Sequence, residues 1–88
     1  MLFTFVTDYQ GGTYITQVEA NGLPSAQKKA EPRIEAAIEA QFDEYGLDNP
    51  VSVDGVVGVW CTGTLDQDEN GVLVNIILTD GTTLKDQR

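Results

Sequence analysis

The stretch FTFVTDYQGGTYITQVEA, Phe3 to Ala20, decides the fold. Its apolar and aromatic residues recur at every second position on both sides of a glycine pair: Phe3, Phe5, Tyr9, then Tyr14, Val18, Ala20. That period belongs to strands, whose side chains alternate between faces. Gly11-Gly12 takes the positive φ values of a tight hairpin turn. Centred there, the hairpin sets Tyr9 opposite Tyr14, Thr7 opposite Thr16, Phe5 opposite Val18 and Phe3 opposite Ala20 on one apolar face. The reverse face holds Leu2, Thr4, Val6, Asp8, Ile15, Gln17 and Glu19.

Four more turn pairs, Asn21-Gly22, Asp54-Gly55, Asn70-Gly71 and Asp80-Gly81, divide the rest of the chain. After the first, Leu23 to Gln27 reads as an edge strand or loop, because Pro24 cannot donate a ladder bond. Pro32 fits the first turn of a helix, where its missing N–H is not needed, and Gly46 fits a stop, so a helix is expected from Ala30 or Glu31 to Tyr45. Its stripe of Ile34, Ala37, Ile38, Gln41, Phe42 and Tyr45 suits packing on a sheet.

The second half reads as a meander of Val51 to Val53, Val56 to Leu65, Val72 to Thr79 and Thr82 to Lys85. A tight turn at Asn70-Gly71 sets Leu65 opposite Ile76. It gathers Val57, Val59, Cys61, Val74, Ile76 and Leu78 under the helix and leaves Val56, Trp60, Leu73 and Ile77 on the other side. The expected architecture is one α+β domain over residues 1–88: an antiparallel β-sheet with one α-helix packed on one face, in the order ββ(β)αβββ(β).

Composition narrows the function. The net charge is −9, with 14 acidic residues, 5 basic residues and no histidine in 88. The dispersed Lys28, Lys29, Arg33, Lys85 and Arg88 do not make the cationic surface that phosphate backbones require, so no direct nucleic-acid contact is expected. A basic protein partner fits the charge. Cys61 is the lone cysteine; with no transmembrane-length apolar run and no basic leader, the expected setting is cytoplasmic and away from membranes.

Three features invite a functional reading. Glu31, Glu35, Glu39 and Asp43 stand four apart, an acidic helical ridge that opposes helix formation and would dock a basic partner. An apolar sheet face with no second helix to cover it, carrying Trp60, Leu73 and Ile77, would serve self-association as a homodimer. Asp66-Gln67-Asp68-Glu69-Asn70-Gly71 follows the opening of a calcium loop, with Asp66, Asp68 and Asn70 as candidate ligands. Its twelfth position is Ile77 where a bidentate glutamate belongs, and its flanks read as strands. No cofactor is expected. Without histidine, general base catalysis would fall to a buried carboxylate, and Cys61, at an inward strand position, reads as an inert core thiol. A non-enzymatic protein-binding domain is the expected function; a calcium-stabilised structural domain and a small carboxylate-based enzyme are the alternatives.

The first half resembles the HicB-like antitoxin domain in its strand Phe3 to Thr7, its turn Gly11-Gly12-Thr13-Tyr14, its Leu23-Pro24 segment and its amphipathic Ile34 to Phe42. The likeness covers about half the chain. A threonine stands before Tyr14, the Gly-Cys after Leu-Pro is missing, the third strand is polar, and no DNA-binding appendage follows. The resemblance implies an acidic, non-enzymatic domain, antitoxin-like, that masks a small basic toxin nuclease.

Overall fold

The alternation that begins at Leu2 produces two eight-residue strands, β1 (Leu2–Tyr9) and β2 (Gly12–Glu19), in a computed structural model that describes residues 1–79. Helix α1 (Leu23–Ile38) follows, then β3 (Val51–Ser52), β4 (Val59–Leu65) and β5 (Gly71–Leu78). The five strands form one sheet in the order β2-β1-β5-β4-β3, antiparallel at every neighbour. The α+β architecture with one helix on one sheet face is as expected. The Asp80-Gly81 turn and the Thr82 to Lys85 strand lie outside the described residues.

The first hairpin turns at Gln10-Gly11 rather than Gly11-Gly12. Both turn residues have positive φ, 47° and 82°, and Tyr9 pairs with Gly12, Thr7 with Tyr14, Phe5 with Thr16 and Phe3 with Val18. Gly12 lies within β2, with the Tyr14 ring folded back over it: a Cβ there would meet the Tyr14 hydroxyl at 2.9 Å. The register therefore moves by two residues. An even shift leaves every side chain on its expected face, and Phe3, Phe5, Thr7, Thr16, Val18 and Ala20 are all buried.

The second hairpin departs by an odd number. Its loop is Asp66 to Asn70, so Leu65 pairs with Gly71 instead of Ile76, and Trp60 pairs with Ile76. The five-residue displacement keeps Val72, Val74 and Ile76 inside but turns β4 over. Trp60 now lies on the helix side, its ring 6.3 Å from that of Phe3, and Thr62 is buried. Cys61 faces outward and is exposed, so it is not the core thiol expected from the sequence. β4 starts at Val59 rather than Val56, leaving Val56 and Val57 exposed in the preceding turn.

The helix begins seven residues before the expected Ala30. Pro24 occupies its first turn, Gly22 is the extended N-cap residue, and no third strand forms at Leu23 to Gln27. Ala26, Ala30, Ile34 and Ile38 are spaced by four and form the buried face; the two alanines let the helix approach closely, and the two isoleucines fill the space under its second half. Each large apolar side chain buried here contributes about 1.5–3 kcal/mol. Pro32 is inside the helix, on its exposed surface. Its cost of roughly 3 kcal/mol in a helix interior is outweighed by the packing of the opposite face.

Past Ile38 the chain leaves the helix, with Glu39 in the left-handed conformation at φ 56° and its N–H on the Glu35 carbonyl. Phe42 nevertheless reaches the core, anchored by a bridge to Asp66. The segment beyond it runs along the outer edge of β4: Asp43 N–H bonds the Leu65 carbonyl at 2.9 Å, Asp48 N–H the Gly63 carbonyl at 2.9 Å and Val53 N–H the Val59 carbonyl at 3.0 Å. No helix among the described residues is long and apolar enough to cross a membrane.

Candidate functional site

With α1 on one side, the other side of the sheet has no cover among the described residues. Register alone sets what it presents. Residues directly opposite share a face, so Ile15, Val6, Asn75, Cys61 and Val51 line up as one row across all five strands. A second row runs Gln17, Thr4, Ile77, Val59, and a third Thr13, Asp8, Leu73, Gly63. Ile15 is 68% exposed, Val51 68% and Leu73 55%. Leu73 and Ile77 therefore sit where the sequence placed them, on the open face, and Trp60 does not. β4, which contributes Trp60, presents the opposite face to the one its sequence suggests.

The polar atoms of this face are tied to one another. Gln17 Nε2 donates to Thr4 Oγ1 at 3.0 Å, Thr4 and Thr79 hydroxyls lie 2.9 Å apart, Thr13 Oγ1 donates to Asp8 at 2.9 Å, and Cys61 Sγ donates to Asn75 Oδ1 at 2.9 Å. Satisfied internally, they present less unmet hydrogen-bonding capacity to an arriving surface, which lowers the cost of removing water there.

At one end the face dips into a shallow cleft of about 620 Å³. Gly63 provides its floor, Leu65 and Leu73 its apolar walls, and Asp8, Asp43 and Asp48 its acidic border, with Tyr45 alongside. Gly63 is required by its surroundings: a Cβ would meet the Val72 carbonyl oxygen at 2.9 Å. Among the described residues no group of three or more Asp, Glu or Cys side chains is close enough to hold a metal ion. With apolar walls and an acidic border, the cleft can take an apolar or cationic group.

The acidic ridge expected on the helix is dispersed. α1 stops before Glu39, so Glu39 and Asp43 leave the line of Glu31 and Glu35. Glu31 Oε2 accepts the Leu47 N–H at 3.1 Å and Glu35 Oε2 the Phe42 N–H at 2.8 Å; these two carboxylates hold the returning segment against the helix. Asp43 Oδ1 accepts the Tyr45 N–H at 3.0 Å and borders the cleft. Of the four, Asp43 alone joins the open face. Among the described residues the cationic side chains, Lys28, Lys29 and Arg33, are all on α1, whereas the rim of the open face carries Asp8, Glu19, Asp43 and Asp48.

The loop read as a calcium site is organised by protein groups. Asp66 is 3% exposed. Its Oδ1 accepts the N–H groups of Asp68 and Asn70, both at 2.8 Å, and its Oδ2 accepts the Tyr9 hydroxyl at 2.5 Å and Asn70 Nδ2 at 3.0 Å. The Tyr9 hydrogen bond, joined by those from Asn70 and Asp68, holds the Asp66 carboxyl at about 2; the same bond pushes Tyr9 up to about 12. With its carboxylate directed inward and its lone pairs engaged, Asp66 does not converge with Asp68 on an ion. The residues present do not fit calcium.

No protein-family model, no curated protein and no solved structure matches this chain.

Proposed function

We propose that this chain is a non-enzymatic protein-binding module whose open sheet face docks a basic partner. One observation carries the reading: a largely apolar row from Ile15 to Val51, with Leu73 and Ile77 beside it, is bordered by Asp8, Glu19, Asp43 and Asp48, while the described cationic side chains all belong to α1 and reach no further than the edge of β2. An apolar centre inside a charged rim is the usual anatomy of an interface. The rim charge selects a cationic surface and speeds its arrival. Two copies of the chain, each with a net charge of −9, would bring like-charged rims together, so a homodimer through Leu73 and Ile77 is the less favoured occupant. A small basic nuclease, the partner class implied by the HicB-like resemblance, meets the same requirement.

The test is capture from a lysate on the immobilised chain at low and high salt, with identification of what is held. A basic protein retained at low salt, released at high salt and lost with Leu73→Glu or with Asp8→Lys plus Asp48→Lys supports the proposal. Capture indifferent to these substitutions removes it. Sedimentation of the isolated chain separates the competing occupant: a dimer dissolved by Leu73→Glu would assign the face to self-association.

A further inference from the structure

We infer that the outer edge of β2 is a strand-addition site for an extended acidic segment of another protein. This surface is distinct from the open face and is served by the cations of α1.

The inference begins with the direction of the peptide groups. Met1 and Ala20 exchange both backbone bonds, each at 3.0 Å. In an antiparallel pair such exchanges alternate, so along this register Val18, Thr16, Tyr14 and Gly12 point at β1, and Thr13, Ile15, Gln17 and Glu19 point away from it. The other side of the sheet is closed by comparison. There the outward carbonyls of Val59, Gly63 and Leu65 each accept an amide from the segment 43–53, and Cys61 pairs with Val51. On β2 the outward N–H groups of Thr13, Ile15, Gln17 and Glu19 and the carbonyls of Thr13 and Ile15 have no partner among the described residues.

Two outward carbonyls are occupied, and both by cations of the helix. Arg33 Nη1 donates to the Gln17 carbonyl at 2.9 Å, and Lys29 Nζ to the Glu19 carbonyl at 2.8 Å. These side chains blunt the edge in the free chain, one of the ways proteins guard exposed strands. They are also replaceable. An incoming strand brings its own N–H groups to the Gln17 and Glu19 carbonyls and frees both cations, which then face side chains on the helix-ward surface of that strand. Carboxylates at those alternate positions complete the exchange, and lysines there would meet like charge. Backbone bonds would supply affinity and the two cations the selection. Neither a proline nor a β-bulge interrupts the eight residues of β2, so the edge is a continuous template.

The experiment titrates the isotope-labelled chain with a short capped peptide of alternating glutamate and valine, its lysine–valine counterpart, and two N-methylated forms blocked on alternate sets of amides. The glutamate peptide is expected to shift and slow the exchange of the Thr13, Ile15, Gln17 and Glu19 amides, to bind better than the lysine peptide, and to lose binding in one N-methylated form only. Lys29→Gln with Arg33→Gln, checked for an unchanged fold by its spectrum, lowers the glutamate preference roughly three- to tenfold, the worth of two exposed ion pairs. No response at these amides, equal binding of both N-methylated forms, or a preference for lysine overturns the inference. So does concentration-dependent association of the chain alone that protects the same amides, since the occupant would then be a second copy.

Discussion

Tyr9 and Asp66, 57 residues apart in sequence, share a hydrogen bond of 2.5 Å from the phenol to the carboxylate. It is at the short end for a bond to a charged acceptor, and it ties the end of β1 to the loop that sets the register of β4 on β5. A contact between the two hairpins thus braces the loop whose length sets which face of β4 is buried.

Loss of this bond should be visible in the pH dependence of stability. The Asp66 carboxyl is lowered to about 2 from its ordinary 3.8, so its contribution is complete above about 4 and is lost as pH falls through 2. Tyr9 is raised from 10.0 to about 12; its contribution is complete below 10 and is lost as pH rises through 12. Tyr9→Phe should lower Tm at neutral pH, abolish the alkaline loss between 10 and 12, and move the Asp66 titration upward toward the ordinary carboxylate range. Urea unfolding across pH and carboxyl NMR titration read both limbs; an unmoved Asp66 titration would contradict the assignment.

Thr7 offers a substitution in the stabilising direction. It is fully buried between β2 and β5, and its hydroxyl has no hydrogen-bond partner among the described residues. Thr7→Val replaces an unsatisfied hydroxyl with a methyl group of similar shape and is expected to raise stability by about 1–2 kcal/mol. An increased urea midpoint with an unchanged slope is the expected result.

Ile34 occupies the middle of the buried helical stripe and is itself fully buried. Ile34→Ala should cost about 2–5 kcal/mol through lost transfer energy and the cavity left behind. For a domain of this size that is a large share of the whole stability. Ala36→Ser, on the exposed side of the same turn, should change it by less than about 0.5 kcal/mol. Thermal melts of the two variants measure the contrast.

Cys61 tests the orientation of β4 directly. An outward thiol is expected to react completely with a thiol reagent in the native chain without unfolding it, whereas an inward one would react only as the chain opens. Because Cys61 lies within the row from Ile15 to Val51, a partner bound to the open face should also slow its labelling.

The sequence readings succeeded and failed according to parity. The alternation from Phe3 to Ala20 revealed the correct buried set even though the turn lay one residue earlier than expected, because moving a turn by one shifts the pairing by two. The same reasoning inverted β4, because the loop from Asp66 to Asn70 displaced its pairing by five. Nothing local to that loop announces its partner: Tyr9 reaches it from the other hairpin. The acidic ridge failed for another reason. Pro24 and Pro32 both suit a helix start, and the choice of Pro32 carried the helix beyond Ile38 and put Glu39 and Asp43 on a cylinder they do not share. The apolar open face, resting on Leu73 and Ile77, survived these errors because it needed only the strand period of β1, β2 and β5.

The sheet order β2-β1-β5-β4-β3 has a consequence during synthesis. Of the described strands β1 is made first, whereas its second neighbour, β5, which ends at Leu78, is made last. Until then the first hairpin and α1 can assemble while one flank of β1 remains bare, with Phe3 and Phe5 incompletely covered. Completing the described sheet therefore requires its earliest strand to be joined by its latest.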